Sequence, residues 1–410
     1  MAEFFEDRET RTAEAREAAL MAALPVQVAH AKATAYFGPL LKDVNPETVT
    51  TRAALATLPV VRKSDFLQHQ RANPPFAGAL GVPLASLHRV FHSPGPLYVP
   101  GPAREDFARM ARALFAAGAR PGDLVHVGFA YHFTPGGWMA DGAARALGCP
   151  VFAAGTGNTE LQVQTIAELR PRAYVGTPSF LKIILEKARE LGTDASSLRV
   201  ALVSGEAFPP ALQKAIKDLG VDAYQCYATA DVGLIAYETQ TREGLVLDED
   251  LIVEIVRPGT GDPVPDGEVG EVVVTVLTPE YPLLRFGTGD MSAFMAGPSP
   301  CGRTNRRIKG WMGRADQTTK VKGMFVHPHQ VAAVLKRHPE LGRGRLVVTQ
   351  AQGADVMTLR CESDADHESL EDAVRASIQA VCKLKGQVEF VRPGTLPNDG
   401  KVIEDARAYG

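Results

Sequence analysis

Paired cysteines, net charge and long apolar runs are all scarce in this 410-residue chain. The five cysteines, Cys149, Cys226, Cys301, Cys361 and Cys382, are odd in number, widely spaced and contain no C-x-x-C pair, so no disulfide framework is expected. Cys301, in SPCGR, could serve as a metal ligand, although a cysteine alone in a turn is more often a plain small side chain. A formal net charge of −3 leaves no basic field to attract a nucleic-acid backbone or an anionic membrane surface. No apolar stretch approaches the roughly 20 residues that span a bilayer. The acidic start MAEFFEDRET has no signal-peptide pattern, which predicts a cytoplasmic protein. What is present is a 45% apolar chain long enough for more than one domain, with small molecules as its expected partners.

The first forty residues space Ala, Leu and Met at helical intervals between charges, the pattern of one or two amphipathic helices. An alternation of helix and strand follows. A helical pattern from Arg104 to Ala117 leads through Ala-Arg-Pro-Gly into the apolar strand LVHVGFAY, and GGWMADGAARALG leads as a helix to the strand PVFAA. ELQVQTIAEL, AYVGT, PSFLKIILEKAREL and LRVALVSG continue as helix, strand, helix and strand. Strands separated by helices of this length need crossover connections, hence a mostly parallel sheet covered by helices. After Glu238 the pattern changes. LIVEIV and GEVVVTVL, separated by PGTGDPVPDG, have the alternation and Gly/Pro turns of antiparallel strands. RLVVTQ, VMTLRCE, HESLEDAVRASIQAVC and QVEFV then suit a small α+β domain. The expected architecture is α/β, with a large N-terminal domain over 1–313 and a small α+β C-terminal domain over 314–410.

Five segments carry residue types suited to chemistry. In SGEAFPP an apolar strand ends at Ser204-Gly205-Glu206 before a proline pair that starts a helix. Ligands of such sheets bind outside the carboxyl ends of the strands, so this is a plausible base wall; an ordinary strand-to-helix turn is the competing reading. In YQCYATAD, Tyr227 offers a ring to cover a base and Asp231 a carboxylate for a hard cation such as Mg²⁺, with capping of a following helix as the alternative for Asp231. In RFGTGD the glycines force tight backbone around Asp290, whose two acceptor oxygens suit a ribose diol. GRADQTTKVKG sets Arg314, able to reach a phosphate or ribose, and Asp316, a candidate hinge, at the domain boundary; solvated turn charges are the alternative. Lys401 follows a Pro-Asn-Asp-Gly turn and is a mobile point charge suited to neutralising negative charge that develops in a reaction.

In this order, the segments resemble the phenylacetate-CoA ligase branch of the AMP-forming acyl-activating enzymes. LPVVRKSDF, GDLVHVGFAYHFTPGGW, GTGNTELQVQTIAELRP, GTPSFLKIILEKA and PCGRTNRRIKGWMGRAD extend the resemblance through nearly the whole chain. It implies an acyl-CoA synthetase-like fold whose C-terminal domain is a mobile lid. It also implies a homodimeric ligase that joins a small, aromatic carboxylic acid to ATP with Mg²⁺, forms an acyl-adenylate and passes the acyl group to CoA. By motif position, Glu206 and Ala207 would lie near adenine with Tyr227 stacked on it, and Asp231 would stand at the family's metal-binding glutamate. Asp290 would hold the ribose, Arg314 would assist at the nucleotide, Asp316 would be the hinge and Lys401 would catalyse adenylation. Tyr131, His132, Phe133 and Gly136 would line the acyl pocket.

Two departures stand out. The family's phosphate loop reads like SSGTTGKPT; here FHSPGPLYVPG keeps Ser93 and Gly95 but lacks the threonine pair and the lysine, and its prolines remove amide donors. Where relatives carry zinc ligands this chain has Thr239, Val246 and Ser299, leaving Cys301, so no structural zinc is expected. Two other readings fit the same residues. One is adenylation with a carrier protein or an amine as acceptor. The other is a binding protein on a ligase scaffold that holds nucleotide or CoA without turning ATP over.

Overall fold

The computed structural model describes residues 3–93, 95–257, 260–312, 315, 319–326, 328–351, 354–364, 368–397 and 402–407. The chain divides into two compact units, 1–312 and 313–410. Among the described residues no helix is long and apolar enough to cross a membrane.

The larger unit opens with the helix Ala13–Lys32, whose first turn is capped by the Thr12 side chain accepting from the Ala15 N–H. Leu20, Leu24, Val28 and Ala31 recur at helical spacing and form its buried stripe. Downstream, five parallel strands lie in the order Val151–Ala153, Val125–Val127, Ala173–Gly176, Val200–Val203 and Asp222–Thr229. The helices Gly136–Ala146, Thr159–Leu169, Pro178–Leu191 and Pro210–Asp218 provide the crossovers. In the numbering of these strands along the chain the order is 2-1-3-4-5, which puts a topological switch between Val125–Val127 and Ala173–Gly176. A Cβ at Gly176 or Gly128 would come within 2.2 or 2.6 Å of the Tyr174 hydroxyl, so glycine at both strand ends admits that buried ring.

Beyond Thr229 the sheet becomes antiparallel through Gly233–Tyr237, Leu245–Leu247 and Arg307–Ile308. A second sheet runs Val61–Arg62, Phe286–Ser292, Gly270–Val276 and Leu251–Val256, with Val61–Arg62 parallel to Phe286–Gly287 and the others antiparallel. The smaller unit is a four-stranded sheet, Gln387–Val391, Ala354–Glu362, Gly344–Ala351 and Ile403–Asp405, with the helices Pro328–Leu335 and Glu368–Cys382 and the hairpin Thr319–Val321/Met324–Val326. The expected α/β architecture with a smaller α+β unit is therefore what the chain adopts.

Two local expectations are corrected. The helical pattern from Arg104 to Ala117 yields a helix only over Ala111–Ala116. The Asp106 carboxylate accepts from the Met110 and Ala111 N–H groups at 2.8 and 2.9 Å, and Arg109 takes φ +61°, so the preceding turn is not helical. Arg109 is held there by its buried guanidinium, which donates to Asp248 and to the Val232 and Leu234 carbonyls. Asp231 caps no helix: it lies in the tight connection between the antiparallel strands Asp222–Thr229 and Gly233–Tyr237.

Candidate active site

The carboxyl ends of the parallel strands carry the SGEAFPP and YQCYATAD segments and the loop that holds Tyr131 to Gly136. The Ser204 hydroxyl donates to the Cys226 carbonyl at 2.8 Å, which ties the end of one strand to its neighbour. Glu206 accepts from the Ser179 N–H at 2.6 Å, so its carboxylate stands at the N-terminus of the helix Pro178–Leu191, where the helix dipole favours an anion. Ala207 follows in the same loop.

The strand Asp222–Thr229 delivers Tyr227 to the second sheet. Its hydroxyl lies 2.9 Å from Asp290 Oδ2 and 3.1 Å from Thr288 Oγ1, and the indole N–H of Trp311 donates to Asp290 Oδ1 at 3.1 Å. Both carboxylate oxygens of Asp290 are thus oriented by neutral donors, and the Asp290 N–H bonds the Thr288 hydroxyl, which itself donates to the Val272 carbonyl. Trp311 escaped the sequence reading; one of only two tryptophans, lying between Asp290 and the domain boundary, it was the available signal.

The loop after Val125–Val127 places the four residues read as an acyl pocket. Tyr131 bonds Asp141 at 3.3 Å, and burial first, then that carboxylate, pushes its phenol well above the usual range. Trp138 donates to the Tyr131 carbonyl at 2.7 Å and meets the Tyr131 ring edge-on, with the Arg89 guanidinium 3.8 Å above the indole. His132 lies in the exposed turn. Phe133 takes φ +62° and is 78% exposed, while its carbonyl accepts from the His92 N–H at 2.8 Å. Gly136 starts the next helix, where a Cβ would sit 3.4 Å from the Phe129 ring.

His92 leads into the phosphate-loop position. Ser93 and Gly95 lie in the connection between Arg89–His92 and Tyr98–Gly101, closed by the Ser93 N–H on the Leu97 carbonyl at 2.7 Å and the Leu97 N–H on Ser93 Oγ at 3.1 Å. Beside it, Asp231 is held by an ion pair that sequence reading did not foresee, with Lys63 Nζ 2.6 Å from its Oδ2. The other oxygen of Asp231 is buried with no hydrogen-bond partner among the described residues. Lys401, Arg314 and Asp316 lie outside the described residues.

The four positions discussed for zinc are occupied by other chemistry. Cys301 is buried with Ser299 Oγ at 3.1 Å and Arg303 Nη1 at 3.7 Å. Burial alone would push its thiol up; hydrogen bonds from Ser299, the Arg303 N–H and Thr239 outweigh it and hold the thiol below its ordinary value. Val246 is core of the same sheet. Among the described residues no group of three or more His, Cys, Asp or Glu side chains is placed to hold a metal. Arg303 continues to Glu9, a fully buried carboxylate that also accepts from the Tyr237 hydroxyl at 2.7 Å.

A parallel sheet with its functional loops at one end, a second sheet offering an aspartate to a tyrosine of the first, and a separate α+β unit define the fold of the acyl-CoA synthetase-like adenylate-forming enzymes. Residues 130–276 match the AMP-binding enzyme family and 323–405 match the AMP-binding enzyme C-terminal domain. The chain is 34% identical over 325 residues to a phenylacetate-coenzyme A ligase of Thermus thermophilus, covering 76% of this chain and 72% of that protein. To the Escherichia coli phenylacetate-coenzyme A ligase it is 31% identical over 384 residues, covering 87% and 86%. A solved 2-hydroxyisobutyryl-CoA ligase in complex with 2-HIB-AMP and CoA superposes with a TM-score of 0.82 at 26% identity, covering 98% of this chain and 92% of that one. The chain belongs to the phenylacetate-coenzyme A ligase family of AMP-binding enzymes.

Proposed function

We propose that this protein activates a small, aromatic carboxylic acid with ATP and transfers the acyl group to CoA. In the first step a carboxylate oxygen attacks the α-phosphorus, and the bond to the bridging oxygen breaks to release pyrophosphate. In the second the CoA thiol gives up its proton, its sulfur attacks the acyl carbon, and the C–O bond breaks to release AMP. The observation that carries the reading is Asp290, both of whose oxygens are oriented by Tyr227 and Trp311 as a ribose diol would require. The solved ligase superposes over nearly the whole chain with an acyl-adenylate and CoA bound, which supports the same assignment.

In this scheme Glu206 and Ala207 border adenine, Tyr131, His132, Phe133 and Gly136 line the acyl pocket, and Lys401 neutralises charge at the α-phosphate. Residues 1–313 act as the adenylate-forming domain and 314–410 as a lid that turns about Asp316, with Arg314 assisting at the nucleotide. Mg²⁺ would arrive with ATP, drawing most of its ligands from phosphate and water, and would balance the phosphate charge. The unpartnered Asp231 Oδ1 fits a single protein ligand of that kind. A cytoplasmic homodimer is the assembly that goes with this reading.

The test is pyrophosphate release from ATP across a panel of aryl, arylacetic and short hydroxy acids, with CoA thioester followed by chromatography. Acid-dependent release together with thioester is expected, and no release with any acid would sink the proposal. Release without thioester would move the acceptor to a carrier protein or an amine. Tyr227→Phe removes one of the donors that orient Asp290 but keeps the ring, so KM for ATP is expected to rise about three- to tenfold with kcat little changed, as for loss of one hydrogen bond of about 1 kcal/mol. Steady-state kinetics at varied ATP checks this.

A further inference from the structure

We propose that Lys63 is the cation that receives the ATP triphosphate in this protein, in place of a lysine on the phosphate loop; the assignment rests on the ligase reading above. The loop itself is poorly equipped. Of Ser93, Pro94, Gly95, Pro96 and Leu97, the prolines have no N–H, and the amides of Ser93 and Leu97 are engaged in closing the turn, as is the Ser93 oxygen. Gly95 is the remaining amide donor. A backbone cradle of the usual kind therefore cannot form, and the triphosphate charge has to be met by a side chain.

Lys63 is placed to meet it. A Cβ at Gly95 would lie 2.9 Å from Lys63 Cε and 3.0 Å from its Nζ, so glycine at that position makes room for the lysine against the loop. The ammonium has three N–H donors and gives one to Asp231 Oδ2 at 2.6 Å, which leaves two for phosphate oxygens. Of the pair, the Asp231 side chain is 2% exposed and the Lys63 side chain 23%, so the cation is the member that faces solvent.

Helix stability does not explain this lysine. Lys63 begins the helix Lys63–Ala72, the end at which the helix dipole disfavours a positive charge. Its backbone is instead fixed to the nucleotide side of the fold. The preceding Val61–Arg62 pairs with Phe286–Gly287 of the strand that carries Asp290, and Arg62 is held by Glu271 at 2.6 Å. One strand pairing thus registers the proposed phosphate cation against the proposed ribose carboxylate. Asp231 holds the ammonium at the loop, where its two other N–H groups can meet phosphate oxygens without breaking the pair.

The experiment compares wild type, Lys63→Gln and Lys63→Arg in two half-reactions: pyrophosphate release from ATP and acid, and thioester formation from supplied acyl-adenylate and CoA, which needs no β- or γ-phosphate. For Lys63→Gln, kcat/KM for ATP is expected to fall about 100-fold or more, as for loss of one charged donor to the reacting group. Thioester formation and AMP affinity should stay within about threefold. Lys63→Arg should recover ATP use to within about tenfold, since it keeps the charge but not the geometry. Equal loss in both half-reactions would make the pair structural and overturn the proposal, as would ATP use by Lys63→Gln within about threefold of wild type. If Lys63→Gln fails to fold because Asp231 is left buried and unpaired, Lys63→Met/Asp231→Asn removes both charges and is compared with Asp231→Asn alone; a further loss of ATP binding beyond Asp231→Asn, with AMP binding kept, is the expected result, and no further loss would overturn the proposal. If wild type turns over no acid, the ligase reading falls separately, and calorimetry decides this one. Weaker ATP·Mg²⁺ binding in Lys63→Gln with unchanged AMP binding would uphold Lys63, whereas equal ATP binding, or none in wild type, would overturn it.

Discussion

Asp290→Ala is expected to lower kcat/KM for ATP by about 10²- to 10³-fold, since two charge-assisted hydrogen bonds to a ribose diol are together worth roughly 3–4 kcal/mol. The effect should fall mainly on KM for ATP and on AMP affinity, because the bonds to ribose are the same before and after the α-phosphate reacts. Asp290→Asn keeps one acceptor oxygen and should lose about half of that free energy. Folding should suffer little. The variant removes one acceptor each from the Tyr227 hydroxyl, which keeps Thr288 Oγ1 at 3.1 Å, and from the Trp311 N–H, at a cost of about 1 kcal/mol. Calorimetric titration with AMP, paired with a thermal melt, separates the two effects. Unchanged AMP affinity in Asp290→Ala would remove the ribose from this carboxylate and with it the main support for the proposed nucleotide site.

Legibility of the chain followed the range of the interactions. The parallel strands and their crossover helices were readable because each declares itself within a dozen residues, as in Pro178–Leu191, where Thr177 caps the start, Pro178 begins the first turn and Gly192 ends the helix at φ +64°. Family and fold were readable for a related reason, since the motif order survives even where single motifs are altered. Long-range pairings left no local mark. Lys63 and Asp231 are 168 positions apart, and nothing in LPVVRKSDF tells its lysine from any other at a helix start. Glu9 and Arg303 are 294 apart, so an acidic first segment read only for its lack of a signal-peptide pattern proves to be an anchor for the sheet. The failed helix before Ala111 has the same origin: Arg109 is needed by Asp248, and that demand overrides the local helical pattern. Asp290 was readable as a candidate from its glycines, but its tyrosine and tryptophan partners required the second sheet to be folded against the first.

Arg285 shows how much the segment that presents Asp290 depends on one such long-range demand, and Arg285→Met is expected to destabilise the larger unit by about 3–5 kcal/mol. The guanidinium is buried, with Nε donating to Glu254 at 3.0 Å, Nη1 to the Ala56 and Leu58 carbonyls at 2.8 and 2.6 Å, and Nη2 to the Gly261 carbonyl at 2.7 Å. Its removal strands three carbonyls and a buried carboxylate together. Burial pushes the Glu254 carboxyl above its ordinary 4.5, and Arg285 pulls it partly back. A carboxyl raised on folding binds its proton more tightly in the folded state, so its contribution to stability is fully present below 4.5 and is lost as pH rises through the folded value. Without Arg285 that folded value climbs further and the loss extends toward neutrality. Arg285→Met should therefore be less destabilised at pH near 5 than near 8, by about 1 kcal/mol or more for each unit of added shift within that window. Urea unfolding at the two pH values checks the sign. Arg285→Met/Glu254→Leu removes the buried charge along with its partner and should recover much of the loss; if it recovers none, the carbonyl bonds rather than the ion pair hold this strand in register.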